Sequence, residues 1–193
     1  MTTALPHQLL HFAEQWLSAC DSTLLWLIGE PGSGKSTLLR ACSIVRPTRR
    51  TVELGAICTA TQAFSAKDGG LRRLGRIAEL VREDALAQGH PTIVAACSIP
   101  PMLVGPRSRE TVFVLIPPED QVQKQRHQRP ARNSPSADEH EAAYHLGIVA
   151  ELSAMPHVRK LHPPFLPALL GTDAAGETSP TDLPRIPLAG AGD

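Results

Sequence analysis

Net charge is the first thing this chain lacks. Lys+Arg and Asp+Glu each number 19 among 193 residues, so no global field draws it to nucleic acid or to lipid. Any such binding has to come from local patches. Cysteine is sparse too: Cys20, Cys42, Cys58 and Cys97 are widely spaced, with no C-x-x-C pair. That argues against structural disulfides and against a zinc site, and it suits reduced thiols in a cytoplasm. No stretch approaches the roughly 18 apolar residues of a membrane span, and the N-terminus lacks a basic-then-apolar signal pattern. The expectation is a soluble, cytoplasmic chain with no membrane partner. Aromatics make up only 4% of it, but the apolar fraction of 42% is ordinary, and the length suits one domain with a real core. There is no internal repeat. His140 and His145 stand five apart, as do His157 and His162, which is not the i, i+4 spacing of a helical metal pair. They read as surface histidines. No Ser-His-Asp or nucleophilic-Cys arrangement can be argued from the spacings.

What the chain does have is Gly29–Glu30–Pro31–Gly32–Ser33–Gly34–Lys35–Ser36–Thr37, directly after the apolar run Leu24–Leu25–Trp26–Leu27–Ile28. The pattern is G-x-x-x-x-G-K-S, the Walker A or P-loop signature, and a buried strand followed by a helix is the context it requires. Glycines at 29, 32 and 34 let backbone N–H groups turn inward around a phosphate, where a Cβ would block the approach. The helix opening near Lys35 adds the positive end of its dipole. Lys35 is placed to reach the β- and γ-phosphates of ATP, and the Ser36 hydroxyl to ligate Mg²⁺.

Around this loop the chain alternates helix and strand. Apolar positions at Leu9, Leu10, Ala13, Trp16, Leu17 and Cys20 predict a helix from Pro6 to Cys20 that packs on one face of a sheet. A helix is expected from Lys35 to about Ser43, then a basic loop Arg46–Arg50 and a short strand Thr51–Leu54. Leu71 to Ala87 is strongly amphipathic, with Gly89 as C-cap and Pro91 as stop. Thr92–Cys97 and Thr111–Ile116 are apolar throughout, as buried parallel strands are. Pro117–Asp120 opens a helix by its proline and acids. Ser136–Glu139 is a capping-box signature for a helix to about Ser153, and Val158–Leu161 is a last strand. The prediction is an α/β fold: a P-loop NTPase three-layer sandwich with a mostly parallel sheet and a short lid at about 121–135. The domain spans 1–170, and the Gly-, Pro- and Ala-rich residues 171–193 read as a disordered tail.

P-loop proteins divide mainly into hydrolysing machines and small kinases. The former usually carry a Walker-B Asp at a strand end, but Thr92–Cys97 runs into Ser98–Ile99–Pro100 without an acid. The guanine-reading N-K-x-D pattern is absent as well. After Thr111–Ile116 comes a basic, proline-interrupted segment with Lys124, Arg126, Arg129 and Arg132. In small kinases that position belongs to the lid, whose arginines stabilise charge on the transferring phosphoryl group and exclude water. Phosphotransfer is the better reading, and a P-loop ATPase module the alternative.

The order of P-loop, Phe64–Ser65, Leu71–Arg72–Arg73–Leu74–Gly75–Arg76–Ile77–Ala78–Glu79–Leu80, Ala87–Gln88–Gly89, apolar strand and Ser98–Ile99–Pro100 resembles the adenylylsulfate kinases. Their pattern runs P-loop, F-S, N-I-R-R-I-G-E-V-A, D-A-G and a strand ending in I-S-P. The resemblance covers roughly Leu24 to Arg132, and Arg126 falls where that family has the arginine opening its lid. The departures are informative. The family ends its second strand in D-G-D, whereas Glu53–Leu54–Gly55 stands here. Gly70 replaces the expected asparagine, and the arginine after F-S is not cleanly present. Those groups hold the sulfated nucleotide, so the acceptor half is rebuilt while the phosphoryl-transfer half is kept.

Size and layout also resemble the phage kinases that phosphorylate 5-hydroxymethyluracil already in DNA, a step of thymidine hypermodification. That resemblance implies DNA carrying a modified pyrimidine as partner and a host cytoplasm as location. Basic clusters at Arg46–Arg50, Arg72–Arg76 and Lys124–Arg132 would track a phosphodiester backbone, and Phe64 would stack on a displaced base. Phe64, Arg72 and Arg73 are accordingly the acceptor-site candidates. Lys35, Glu53, Arg126 and Arg129 are the catalytic ones, with Glu53 orienting the metal or acting as base and Asp68 in reserve. A small-molecule kinase acting on adenylylsulfate, a nucleotide or a nucleoside is the alternative.

Overall fold

The computed structural model describes residues 5–60, 70–97, 99, 107–117 and 135–163. Among them the chain runs α1 (His7–Ser18), β1 (Leu24–Ile28), α2 (Lys35–Val45), β2 (Arg50–Glu53), α3 (Leu54–Ala60), α4 (Gly70–Gln88), β3 (Thr92–Ala96), β4 (Glu110–Leu115), α5 (Pro135–Ser153) and β5 (Val158–Leu161). The five strands form one sheet in the order β2-β3-β1-β4-β5, and every neighbouring pair is parallel.

The period of two along each strand divides the core. Leu25 and Leu27 of β1, Ile93 and Ala95 of β3, and Phe113 and Leu115 of β4 face α1 and α2. Leu24, Trp26 and Ile28, with Val94, Val112 and Val114, face α3, α4 and α5. Because both faces are covered, all five residues of β1 are buried, which is why the strand reads as an unbroken apolar run instead of an alternating one. The helices answer with apolar stripes at 3.6-residue spacing. Leu9, Ala13, Trp16 and Leu17 of α1 are buried, with the Trp16 ring edge-on to Phe113 at 5.2 Å. Each large side chain so buried contributes roughly 1.5–3 kcal/mol. Leu74, Ala78, Val81 and Ala85 do the same for α4. Gly89 closes α4 with φ +66, the left-handed conformation of a C-terminal cap.

Several expectations shift. Leu54 does not end β2; it opens α3, where Leu54 and Ile57 turn inward one helical turn apart. α5 begins at Pro135, the last residue assigned to the lid, so Ser136 lies inside its first turn and not ahead of it. His145 is buried, not on the surface. Burial pushes the Cys42 thiol up to about 12, so it stays protonated at neutral pH and is a core side chain. Residues 118–134, with most of the lid, and 164–193, with the tail, lie outside the described residues, as do Phe64 and Asp68. None of the described helices is long and apolar enough to cross a membrane.

A charged network crosses the apolar layer on the α4 face. The Arg82 side chain, 3% exposed, lies with its Nε 3.0 Å from Oε1 of Glu110, itself 4% exposed, and donates through Nη1 to Glu79 at 2.6 Å. The guanidinium stacks 5.3 Å from the centre of the Trp26 ring, and the Trp26 indole N–H donates to Glu110 Oε2 at 3.1 Å. One guanidinium thus joins α4, β1 and β4. Charges this deep are stable only in company, and losing one partner strands the other in a low-dielectric interior. Replacement Arg82→Met is therefore expected to cost about 3–5 kcal/mol in urea unfolding. The double replacement Arg82→Met/Glu110→Leu should regain most of it, and a double variant as unstable as the single one would contradict this account.

Candidate functional site

The P-loop starts where β1 stops. Gly29 donates its N–H to the Ala96 carbonyl of β3 at 3.3 Å, and Ser33 N–H closes a turn on Glu30 O at 3.0 Å. Gly32 and Gly34 have φ of 87° and 90°, the left-handed region that a side chain disfavours. Gly29 is glycine for a different reason. A Cβ there would stand 2.7 Å from Ser33 Oγ and 3.2 Å from the Leu115 carbonyl of β4. Neighbouring protein, and not only an incoming phosphate, would be crowded by a side chain there. Gly34 is the N-cap of α2 and no side chain caps it, so the first N–H groups of α2 and its positive dipole end are directed at the loop.

Lys35 occupies the first turn of α2 and is 6% exposed. Its ammonium donates to Gly29 O at 2.8 Å, Glu30 O at 2.7 Å and Ser33 Oγ at 3.4 Å. A buried ammonium needs such acceptors, and anionic phosphate oxygens would be stronger ones than neutral carbonyls. The loop thus carries its cation in place. Ser33 and Thr37 are buried, whereas Ser36 is exposed and Glu30 and Pro31 are half-buried.

Glu53 ends β2 level with Ala95 of β3, itself beside Leu27 of β1. That register brings the carboxylate to the mouth of the P-loop, where Ser36 Oγ donates to Glu53 Oε1 at 2.5 Å. The hydroxyl hydrogen is held by the carboxylate, which leaves the oxygen lone pairs for a cation. An all-oxygen pair suits Mg²⁺, a hard ion that keeps much of its water shell. The other described strands of the sheet end here in Ile28, Ala96, Leu115 and Leu161. Among the described residues, Glu53 is therefore the one acid that closes a strand at this end.

Of the remaining candidates, Arg72 and Arg73 fall in the first turn of α4. α4 leads down into β3, so its N-terminus lies at the P-loop end of the sheet. Arg126 and Arg129 lie outside the described residues. The Arg46–Arg50 cluster is at the wrong end for an acceptor. Arg50 opens β2 opposite Thr92 and pairs with Asp84, Arg46 donates to Ser18 Oγ at 2.9 Å, and Arg49 donates to Ser22 O at 3.2 Å. This basic loop holds α1, α4 and the start of the sheet together. The pairing of Ser36 with Glu53 was not anticipated. The available signal was an acid placed at the end of the strand that follows the P-loop helix.

No family model and no curated protein matches this chain. Solved structures do. A sugar kinase from Janibacter sp., unliganded, superposes with a TM-score of 0.54 at 15% identity, over 72% of this chain and 83% of the kinase. The shikimate kinase of Acinetobacter baumannii, in complex with shikimate, gives 0.51 at 16% identity, over 79% and 89%. The chain has the P-loop kinase fold.

Glu53→Gln keeps an oxygen acceptor for Ser36 and removes the charge. Its expected effect is a roughly 10–100-fold loss of Mg²⁺ affinity in the nucleotide complex, with metal-free nucleotide binding unchanged, both read by calorimetric titration. Unaltered Mg²⁺ affinity would make Glu53 merely a strand-end acid.

Proposed function

We propose that this chain is an ATP-dependent phosphotransferase that moves the γ-phosphate of ATP to an alcohol. The observation that carries this reading is the juxtaposition of the Lys35 ammonium with the Ser36–Glu53 pair at a P-loop. The loop from Gly29 to Thr37 holds the phosphates. Lys35 exchanges its carbonyl acceptors for β- and γ-phosphate oxygens, and Ser36 binds Mg²⁺ with Glu53 orienting it. The metal supplies neutralisation of the charge on the phosphoryl group as it transfers. Positioning and charge neutralisation provide most of the rate in this chemistry, so a weak base suffices. Arg126 and Arg129 are assigned to the lid, closing over the phosphates and excluding water.

The acceptor is a free small molecule. Both relatives above are kinases, named for a sugar and for shikimate, hydroxyl-bearing compounds of that size. The reading of 5-hydroxymethyluracil DNA as acceptor rests on Phe64, Arg72–Arg76 and Lys124–Arg132 after the loss of Arg46–Arg50. It is the competing arm of the test.

Transfer of labelled γ-phosphate from ATP·Mg²⁺ would be followed in three parallel reactions. One offers free alcohols, namely sugars, shikimate, nucleosides and adenylylsulfate. Another offers DNA with 5-hydroxymethyluracil, and the third offers matched thymine DNA. Label in the free alcohols is expected. Label confined to hydroxymethyl DNA would make the acceptor a DNA base, and ATP consumed without transfer would make this a hydrolysing module. Lys35→Ala should lower transfer by about 10²–10³-fold or more while circular dichroism stays native. Full turnover in that variant would end the phosphotransferase reading.

A further inference from the structure

We propose that the opposite end of the sheet carries a second anion site, which takes a compact oxyanion such as inorganic phosphate or the phosphate of a small monoester. A cleft of about 360 Å³ opens between the N-terminal ends of β4 and β5, walled by Arg107, Ser108, Thr111, His157 and Arg159, with Glu110 at its base. The volume is at the lower end for small-ligand sites. The length of β4, six residues at about 3.3 Å each, separates it from the P-loop, so the two sites do not share a ligand.

Charge decides the class of ligand. Glu110 is the one acid in the lining; its Oε2 accepts from the Arg82 guanidinium and the Trp26 indole N–H, and its Oε1 lies 3.0 Å from Arg82 Nε. Arg107 is 42% exposed and stands 3.9 Å from Glu79, whose other carboxylate oxygen is held by Arg82 at 2.6 Å. Arg159 is exposed on the sheet-edge strand β5. The lining carries two guanidiniums and an imidazole against one carboxylate, itself paired with Arg82, together with the hydroxyls of Ser108 and Thr111, the latter hydrogen-bonded to Ser22. That set repels a cation and matches the forked, oxygen-rich outline of a phosphate.

The cleft wall is also held in a costly conformation. Arg109 has φ 70°, a conformation disfavoured for a non-glycine residue. The strain is tied down from both sides: Leu24 N–H donates to Arg109 O at 3.0 Å, and Arg109 Nε donates to Thr23 Oγ1 at 3.2 Å. The turn so formed presents Arg107 and Ser108 to the cleft. Backbone strain of this kind persists where the surrounding structure enforces it, and it clusters at ligand sites.

The test uses inorganic phosphate, titrated calorimetrically into the full chain in phosphate-free, magnesium-free buffer. The Lys35→Ala protein, whose P-loop is disabled, should still bind phosphate saturably at one site. Adding Arg107→Gln and Arg159→Gln should weaken that binding at least 10-fold. Arg159→Gln alone, an exposed edge substitution, should weaken it measurably and guards against a folding defect in the triple variant. Absence of saturable binding to the Lys35→Ala protein overturns the proposal, as does unchanged affinity after the arginine replacements. ATP binding is measured on wild-type and Arg159→Gln proteins and is expected to be equal. The phosphotransferase reading can therefore fail without this one failing, and the reverse holds too.

Discussion

At Gly29 the chain passes close to the Ser33 hydroxyl and the Leu115 carbonyl, both of which a Cβ would crowd. β1 lies between β3 and β4, so the chain leaving it emerges at the centre of the sheet with a neighbouring strand on each side. Glycine turns there without crowding either neighbour and keeps the N–H bond to Ala96. That turn aims the Gly29 and Glu30 carbonyls at Lys35 and opens α2 with its N–H groups facing the loop. The anion cradle is thus a consequence of sheet packing as much as of the loop's own glycines.

The two ends of the sheet treat charge differently. At the P-loop end, Lys35 is bonded largely to neutral carbonyls, and the Glu53 carboxylate is exposed and bonded to a hydroxyl. At the other end, Arg50 meets Asp84, and Arg82 meets Glu79 and Glu110. These pairs fix the register of α4 against β1 and β4. Removing apolar partners would merely loosen such a contact, whereas a buried guanidinium admits few alternative arrangements. Rigidity at the far end holds β1 and β2 so that Ser36 and Glu53 meet at the near one.

Elements whose cause is local were legible in the sequence. The P-loop follows from glycine spacing, α1 and α4 from apolar periodicity, and β1, β3 and β4 from short unbroken apolar runs, each placed within about two residues. α3 was not legible, because seven residues with a glycine make fewer than two turns, too few for a clear apolar stripe. Only the inward pair Leu54 and Ile57 hints at it. In the sequence nothing separates Arg82 from a surface charge of α4, since its partner Glu110 is 28 residues away and only the sheet order brings them together. The arginines at 46, 49 and 50 misled for the same reason. A basic cluster in sequence says nothing of which carboxylates and carbonyls the fold will place beside it.

That Glu53 is the one acid closing a described strand at the P-loop end bears on the chemistry of the proposed reaction. Where separate carboxylates serve, one can hold the metal through its ligands while another accepts the proton of the attacking hydroxyl. Among the described strand ends there is only Glu53, and its Oε1 is engaged by Ser36. Proton acceptance would neutralise the charge that steadies the metal ligand just as negative charge builds on the phosphoryl oxygens. A loose phosphoryl-transfer transition state demands little deprotonation of the acceptor. The more economical assignment therefore leaves Glu53 ionised throughout, orienting Ser36 and Mg²⁺, and lets the acceptor proton depart late, to a transferred phosphate oxygen or to water.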